Sequence, residues 1–177
     1  MTFNIIWIII PSIIYLESWW LKLRKDIIKN ISKNKKAYHD YFVLESLETG
    51  IELRGTEVKS IRNGNVNLKD SWCSIIKNEL FVNNMHIGLY DHGNIFNTDP
   101  LRVRKLLAHK KEINKFFGQI KLQGVSIIPL SLYFKDQHVK LQIGLCKGKK
   151  LHDKRAVIAE RTANRNIERT LKEYQKF

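Results

Sequence analysis

Two stretches, "VSIIPLSLYF" (residues 125–134) and "HVKLQIGL" (residues 138–145), decide how this chain folds. In the second, Val139, Leu141, Ile143 and Leu145 alternate strictly with polar residues or Gly, the period of a strand with one face buried. The first is almost continuously apolar, and only a short polar link separates the two. The pair predicts an antiparallel hairpin turning at Lys135-Asp136.

Upstream, "SWCSIIKNELFVNNMHIGLY" (71–90) is also strand-rich, with Lys77-Asn78 as a hairpin turn signal. "YFVLESLETGIEL" (41–53) reads as two strand pieces around a turn at Thr49-Gly50. "TEVKSIRNG" (56–64) predicts a short helix, with Val58 and Ile61 on one side and Gly64 as its stop. The longest helical pattern is "DPLRVRKLLAHKKEINKFFGQI" (99–120). Asp99 is placed to cap it, Pro100 suits its first position, and Gly118 lies near its end. Val103, Leu106, Leu107, Ile113, Phe117 and Ile120 supply an apolar stripe of helical period. Short strands among a few helices predict a mainly β fold: a small, closed or partly open antiparallel barrel flanked by helices.

The 177 residues carry 31 Lys and Arg against 17 Asp and Glu, a formal net charge of +14. Such an excess attracts polyanions, because phosphates that meet Lys and Arg release their counterions. Nucleic acid and an anionic membrane surface are the two natural partners. Ile, Lys and Asn together make 59 of the 177 residues, a bias typical of AT-rich genomes, so position says more than total charge. Cys73 and Cys146 lie far apart and in no metal-binding cluster, which favours a reducing compartment.

From Met1 to Leu21 the only charge is Glu17, a stretch long enough to be considered as a membrane span. It lacks the basic start and cleavage site of a secretory signal, and Pro11 interrupts it. A membrane anchor, a buried core helix and an over-long start, with translation beginning nearer Arg24, remain open; the last is the expectation. Residues 22–36 follow as a basic arm with seven Lys or Arg against Asp26 and no clear apolar period. The expected division is an extension (1–30), a barrel domain (31–146) and a basic tail (147–177).

Signatures of catalysis are missing: there is no G-x-S-x-G, H-E-x-x-H or G-x-x-x-x-G-K-[ST]. His86, Asp91 and His92 follow no spacing that suits a metal, and no cofactor is expected. An RNA-processing enzyme is disfavoured because no acid–base pair can be assembled. Charge placement is more telling. Arg102, Arg104, Lys105, Lys110, Lys111 and Lys115 cluster in the 99–120 segment. In the tail, ten Lys or Arg face four acids, and Arg161, Arg165, Arg169, Lys172 and Lys176 recur at helical spacing. Ala163, Ile167, Leu171 and Tyr174 form a second stripe about 200° away around the same helix. Such a helix either packs its apolar stripe on its own barrel or orders when its cations meet phosphates.

The blocks "NKKAYHDYF" (34–42), "GTEVKSIRNG" (55–64), "DPLRVRKLL" (99–107), "LSLYF" (130–134) and "GKKLHDKR" (148–155) occur in an order that resembles the SsrA-binding protein family, also called small protein B. The resemblance spans residues 34 to about 172 and does not include the apolar segment 1–21. It implies an OB-fold-like barrel that binds transfer-messenger RNA and delivers it to stalled ribosomes for trans-translation. The resemblance implies an RNA chaperone that is non-enzymatic; a cytoplasmic location, a monomer and no small-molecule substrate are expected with it. The same resemblance implies that Asn34, Glu48, Leu107 and His109 meet the tRNA-like domain, His109 standing where relatives carry Asn. It assigns Lys147, Lys149, Lys150, His152, Asp153, Lys154 and Arg155 to a segment that reads the ribosomal decoding centre. Arg161, Arg165 and Arg169 continue it along the empty messenger channel. The tail is expected to be helical when bound. A membrane-tethered basic protein, anchored by residues 1–21, is the alternative.

Overall fold

The computed structural model describes residues 28–174, so the expectations for residues 1–21 lie outside the described residues. In chain order the elements are β1 (Ile28–Lys33), α1 (Lys35–Asp40), β2 (Tyr41–Ile51), α2 (Gly55–Arg62), β3 (Val66–Asn67), β4 (Trp72–Ile76) and β5 (Glu79–Asn83). They continue with β6 (His86–Ile87), a 3-10 turn (Asn94–Phe96), β7 (Arg104–Leu107), α3 (Lys110–Gln123), β8 (Ser126–Lys135), β9 (His138–Gly148) and α4 (Leu151–Tyr174). Among the described residues, no helix is long and apolar enough to cross a membrane.

The hairpin at the centre of the sequence argument is β8–β9, paired from Ser126 and Cys146 to Lys135 and His138 with one register shift. Its turn falls one residue later than expected. Lys135 still pairs with His138, and Asp136 and Gln137 adopt the two positive φ angles, 49° and 74°, of a tight hairpin loop. Lys77 (φ 50°) and Asn78 (φ 60°) make the same kind of turn between β4 and β5, as predicted. The main sheet runs β1-β8-β4-β5-β7-β2-β9, and the β8–β9 pairing closes it into an antiparallel ring with β1 added beside β8. This is an OB-fold-like barrel flanked by helices.

The unbroken apolar run of β8 has a packing cause. Ile127 through Phe134 are all buried. Ile128 and Leu130 face a small cluster with Ala37 of α1 and Cys146 of β9, while Ile127, Leu132 and Phe134 face the barrel core. A register shift between Pro129 and Ser131 exchanges the faces, so even-numbered residues turn outward before it and inward after it. Pro129 sits at this bulge, where a missing N–H is tolerated. The inward residues of β9, Leu141, Ile143 and Leu145, complete the core, each such side chain contributing about 1.5–3 kcal/mol by leaving water.

Three local expectations need correction. The helix predicted over 99–120 is shorter: residues 104–107 form β7, and α3 begins at Lys110. Asp99 closes a turn instead of a helix, its carboxylate accepting from the Leu101 N–H at 2.9 Å. The sheet claims residues 104–107 because β5 and β2 each need a partner there. Val103 and Leu107, counted in the helical stripe, are exposed; the buried face of α3 is carried by Ile113 and Phe116, with Phe117 largely outside. Gly118 lies inside the helix, which ends instead at Gly124 (φ 58°).

Second, β2 passes through Thr49-Gly50 without turning. Thr49 is buried and its hydroxyl donates to the Leu141 carbonyl at 2.9 Å. Third, the basic arm, which shows no apolar period, holds regular structure where it is described: residues 28–33 pair with β8 as β1, and Asn34 starts α1. The helix predicted around Val58 and Ile61 is present as α2, and Gly64 (φ 81°) follows its end as expected.

Candidate nucleic-acid interface

Strand β2 is the scale on which the candidate residues are laid out. At its first residue, Tyr41 pairs with Gly148, where β9 leads into the tail. At its last, Ile51 pairs with Leu106 of β7. With a rise of about 3.3 Å per residue, the two ends lie roughly 33 Å apart.

Glu48, Leu107 and His109 lie toward the Ile51 end. The Glu48 side chain is exposed, on the even-numbered outer face of β2. One of its carboxylate oxygens accepts from the Tyr133 hydroxyl at 2.5 Å, and Lys140 stands 4.0 Å from the other. Burial, reinforced by the Glu48 carboxylate, pushes the Tyr133 hydroxyl well above its ordinary range, so Tyr133 stays a donor at neutral pH. Glu48 is thereby held in place with acceptor capacity to spare. Leu107 closes β7 with its side chain more than half exposed. It fits over β2 because Gly50 has no side chain; a Cβ there would lie 3.2 Å from the Leu107 Cβ. His109 is exposed at the N-terminus of α3, and its backbone N–H donates to Glu112 at 2.9 Å. All three side chains are exposed and offer different chemistry: an acceptor, an apolar contact and an imidazole.

Asn34 stands apart from them. It is only 5% exposed, and its side chain is fully engaged inside the protein. Its oxygen accepts from the Ala37 N–H at 3.0 Å, capping α1. Its amide nitrogen donates to the carbonyls of Leu68 at 2.9 Å and Pro129 at 3.0 Å. One side chain therefore ties together α1, the loop before β4 and the β8 bulge.

The tail leaves from the other end of β2. Lys149 donates its backbone N–H to the Asp40 carbonyl at 2.9 Å and its ammonium to the Tyr38 carbonyl at 3.0 Å, with that ammonium 4.9 Å from the Phe42 ring centre. Lys154 reaches back to the Asp40 carboxylate at 2.7 Å. Asp40 also meets His39 Nδ1 at 2.8 Å. The hydrogen bond from Lys154, followed by that of His39, holds the Asp40 carboxyl below its ordinary value. Asp153 accepts from the Lys150 N–H at 2.9 Å, which starts α4. His152 is exposed, its Nε2 3.0 Å from Asp153.

From Thr162 to Tyr174 every residue of the helix is exposed. Lys147, Lys150, Arg155, Arg165 and Arg169 are exposed, and Arg161 lies on the same helix. Ile158, Ile167, Leu171 and Tyr174 are exposed too. The apolar stripe is therefore not packed on the barrel. The segment is helical from Leu151 to Tyr174, its start capped where Asp153 accepts from the Lys150 N–H. Asp40 was missed from the sequence because nothing local marks the partner of a residue 114 positions away. Tyr133 was missed because it lies within an apolar run.

Of the metal residues considered, His86 pairs with Asn67 as a β6 residue, and His92 sets its ring against Tyr90, the ring centres 5.5 Å apart. Among the described residues, no cluster of three His, Cys, Asp or Glu could hold a metal ion.

The family model described as SmpB protein matches residues 31–173. An SsrA-binding protein of Clostridium perfringens is 55% identical over 154 residues, covering 87% of this chain and 98% of that one. One from Geobacillus kaustophilus is 54% identical over 149 residues, 84% of this chain and 96% of the relative. Among solved structures, a chain from a tmRNA-SmpB structure concerned with the center of the bacterial ribosome is similar with a TM-score of 0.60 and 39% identity, over 72% of this chain and 93% of that one. With the matched family model running from β1 to the last turn of α4, the chain belongs to the SmpB protein family.

Proposed function

We propose that the chain binds transfer-messenger RNA through the barrel and brings it to stalled ribosomes, where the tail probes the vacant messenger channel. The family match across residues 31–173 carries this reading, joined to relatives named for SsrA binding and a solved neighbour named for tmRNA on the ribosome. The work is recognition without turnover, in the cytoplasm where ribosomes are. Residues 31–146 form the RNA-binding domain and residues 147–177 the probe.

Glu48, Leu107 and His109 contact the tRNA-like domain: the carboxylate accepts from base or ribose donors, Leu107 packs on a sugar or base face, and the imidazole hydrogen-bonds. Asn34 acts through the fold, by fixing α1 and the β8 bulge. In the tail, Lys147, Lys149, Lys150, Lys154 and Arg155 neutralise ribosomal phosphate, Arg161, Arg165 and Arg169 continue the cationic face, and the exposed His152 ring stacks on a base with Asp153 beside it. The placement of these two groups toward opposite ends of β2 supports a separation of roles.

The test is a pair of variants. Replacing Asp153, Lys154 and Arg155 together by Ala leaves transfer-messenger RNA affinity within about twofold and abolishes peptide tagging of stalled products. Glu48→Gln weakens RNA binding first. Equal loss of RNA binding in both would overturn the division. Absence of salt-sensitive binding by the unaltered protein would overturn the function itself.

A further inference from the structure

The loop between β6 and β7 holds a second feature, a groove of about 510 Å³ between it and the start of α2. That volume lies in the range of small-ligand sites, roughly 300–1,000 Å³. Its walls carry the rings of Tyr90, His92 and Phe96, the side chain of Ile95, and two cations, Arg54 and Lys59; no carboxylate lines it. The Lys59 ammonium sits 5.2 Å from the centre of the Tyr90 ring. Phe96 is 74% exposed and Ile95 83%, a large apolar surface that none of the described residues covers.

The loop is braced in this shape. The Asn97 side chain bonds both backbone groups of Tyr90, accepting from its N–H at 3.1 Å and donating to its carbonyl at 3.0 Å. Thr56 donates to the Phe96 carbonyl at 3.2 Å, tying the loop to α2. Gly93 is required beneath it, because a Cβ would come within 2.4 Å of Asn97 Oδ1. Underneath, the buried Arg104 guanidinium donates to the carbonyls of Met85, Arg102 and Pro100, which flank the loop. Aromatic rings are thus displayed on a fixed frame next to two cations, with Asp91, between Tyr90 and His92, the nearest acid in the loop and not part of the groove's lining.

From this arrangement we infer that the groove receives an unpaired nucleotide of the tRNA-like domain of transfer-messenger RNA, its base stacked on Phe96 and Tyr90 and its phosphate held by Arg54 and Lys59. Stacking between an exposed ring and a base, beside a cation, is the common chemistry for holding an unpaired nucleotide. The RNA is identified by position. Arg54 lies three residues past Ile51, the end of β2 that carries the Leu107 contact, and the tail departs from the opposite end. This inference rests on the proposed function and extends its RNA surface around the barrel.

Binding of full-length protein to transfer-messenger RNA tests it, by fluorescence anisotropy across a salt series. Phe96→Ala lowers affinity about tenfold or more with the salt slope unchanged, whereas Phe96→Trp, which keeps a ring, binds like the unaltered protein. Lys59→Gln reduces the slope of log affinity against log salt by about 1. An affinity of Phe96→Ala within twofold of the unaltered protein overturns the groove and leaves the proposed function standing. If the unaltered protein does not bind the RNA, the broader function falls instead. Ultraviolet crosslinking in a mixture of transfer-messenger RNA and ribosomes gives an independent readout. An adduct of the tryptic peptide 78–102 with the tRNA-like domain supports the assignment, and one with ribosomal RNA refutes it.

Discussion

Glu57 is the side chain whose alteration best tests the physical account of this barrel. It is 5% exposed and gathers four donors: Arg104 Nε at 2.8 Å and Arg102 Nε at 2.9 Å on one oxygen, Arg102 Nη2 at 2.5 Å and the Arg54 N–H at 2.7 Å on the other. Arg104 has no exposed surface at all. In Glu57→Gln the shape is kept, but an amide N–H₂ faces guanidinium N–H groups, and the buried cation loses its counter-charge. Breaking one member of a buried ion pair costs about 3–5 kcal/mol. The three carbonyls that Arg104 keeps, those of Met85, Arg102 and Pro100, place the expectation at about 3 kcal/mol, the low end of that range. At roughly 2–4 °C per kcal/mol, that lowers Tm by about 6–12 °C.

Urea and thermal unfolding followed by two probes measure the difference at neutral pH. The pH dependence carries the sign. Burial alone would raise the Glu57 carboxyl, but the Arg102 hydrogen bond, the Arg54 N–H and Arg104 outweigh it, so the folded group titrates below its ordinary 4.5. Its stabilisation is therefore complete above the unfolded value and lost as pH falls through the folded one. Glu57→Gln has no such titration, so the stability gap narrows as the solution is acidified below about pH 4. A variant within about 1 kcal/mol of the unaltered protein at pH 7, or a gap indifferent to acid, would refute the argument that this carboxylate neutralises Arg104.

Asn34→Ala removes the cap of α1 and leaves the Leu68 and Pro129 carbonyls without their donor; a loss of about 2–3 kcal/mol in urea unfolding is expected, with RNA affinity at 15 °C unchanged, and a fall in affinity without a fall in stability would show a direct RNA contact. Asp40→Asn releases Lys154 from the body. Amide exchange in residues 150–158 then quickens about fivefold, a change of about 1 kcal/mol, while the barrel is unaffected; unaltered exchange there would mean that the ion pair does not hold the tail.

The fold was legible where burial is one-sided or turns are tight. Val139, Leu141, Ile143 and Leu145 alternate because β9 covers the core with one face, and Lys77-Asn78 marks a loop that needs two positive φ angles. It was illegible where partners distant in sequence decide. Residues 99–109 have a helical spacing of Val103, Leu106 and Leu107, but two strands on either side require β7 there. Thr49-Gly50 carries turn chemistry, yet Thr49 is buried against β9 and Gly50 makes room for Leu107. Arg104 belongs to the cationic cluster of 99–120, and nothing local marks its burial because the carboxylate that neutralises it lies 47 residues earlier. On the candidate site, the family pattern pointed to Glu48, Leu107 and His109, which the fold brings to one end. It also pointed to Asn34, whose side chain lies inside.

The geometry of β2 bears on how the proposed division of labour can work. RNA bound around Glu48, Leu107 and the Tyr90–Phe96 groove lies near one end of a strand roughly 33 Å long. The tail leaves near Tyr41 at the other end, attached through Lys149 and Lys154 to the short helix α1. Phosphates competing for Lys154 at the second end reach no residue of the first, and the screening length of about 8 Å at physiological salt is far shorter than the strand. Charge alone therefore does not couple the ends. Among the described residues, mechanical routes between the ends run through the packed strands β2 and β9 and through α1, whose cap Asn34 is wedged against the β8 bulge. A tail that engages or releases phosphate without loosening the RNA at the far end is the consequence of that separation.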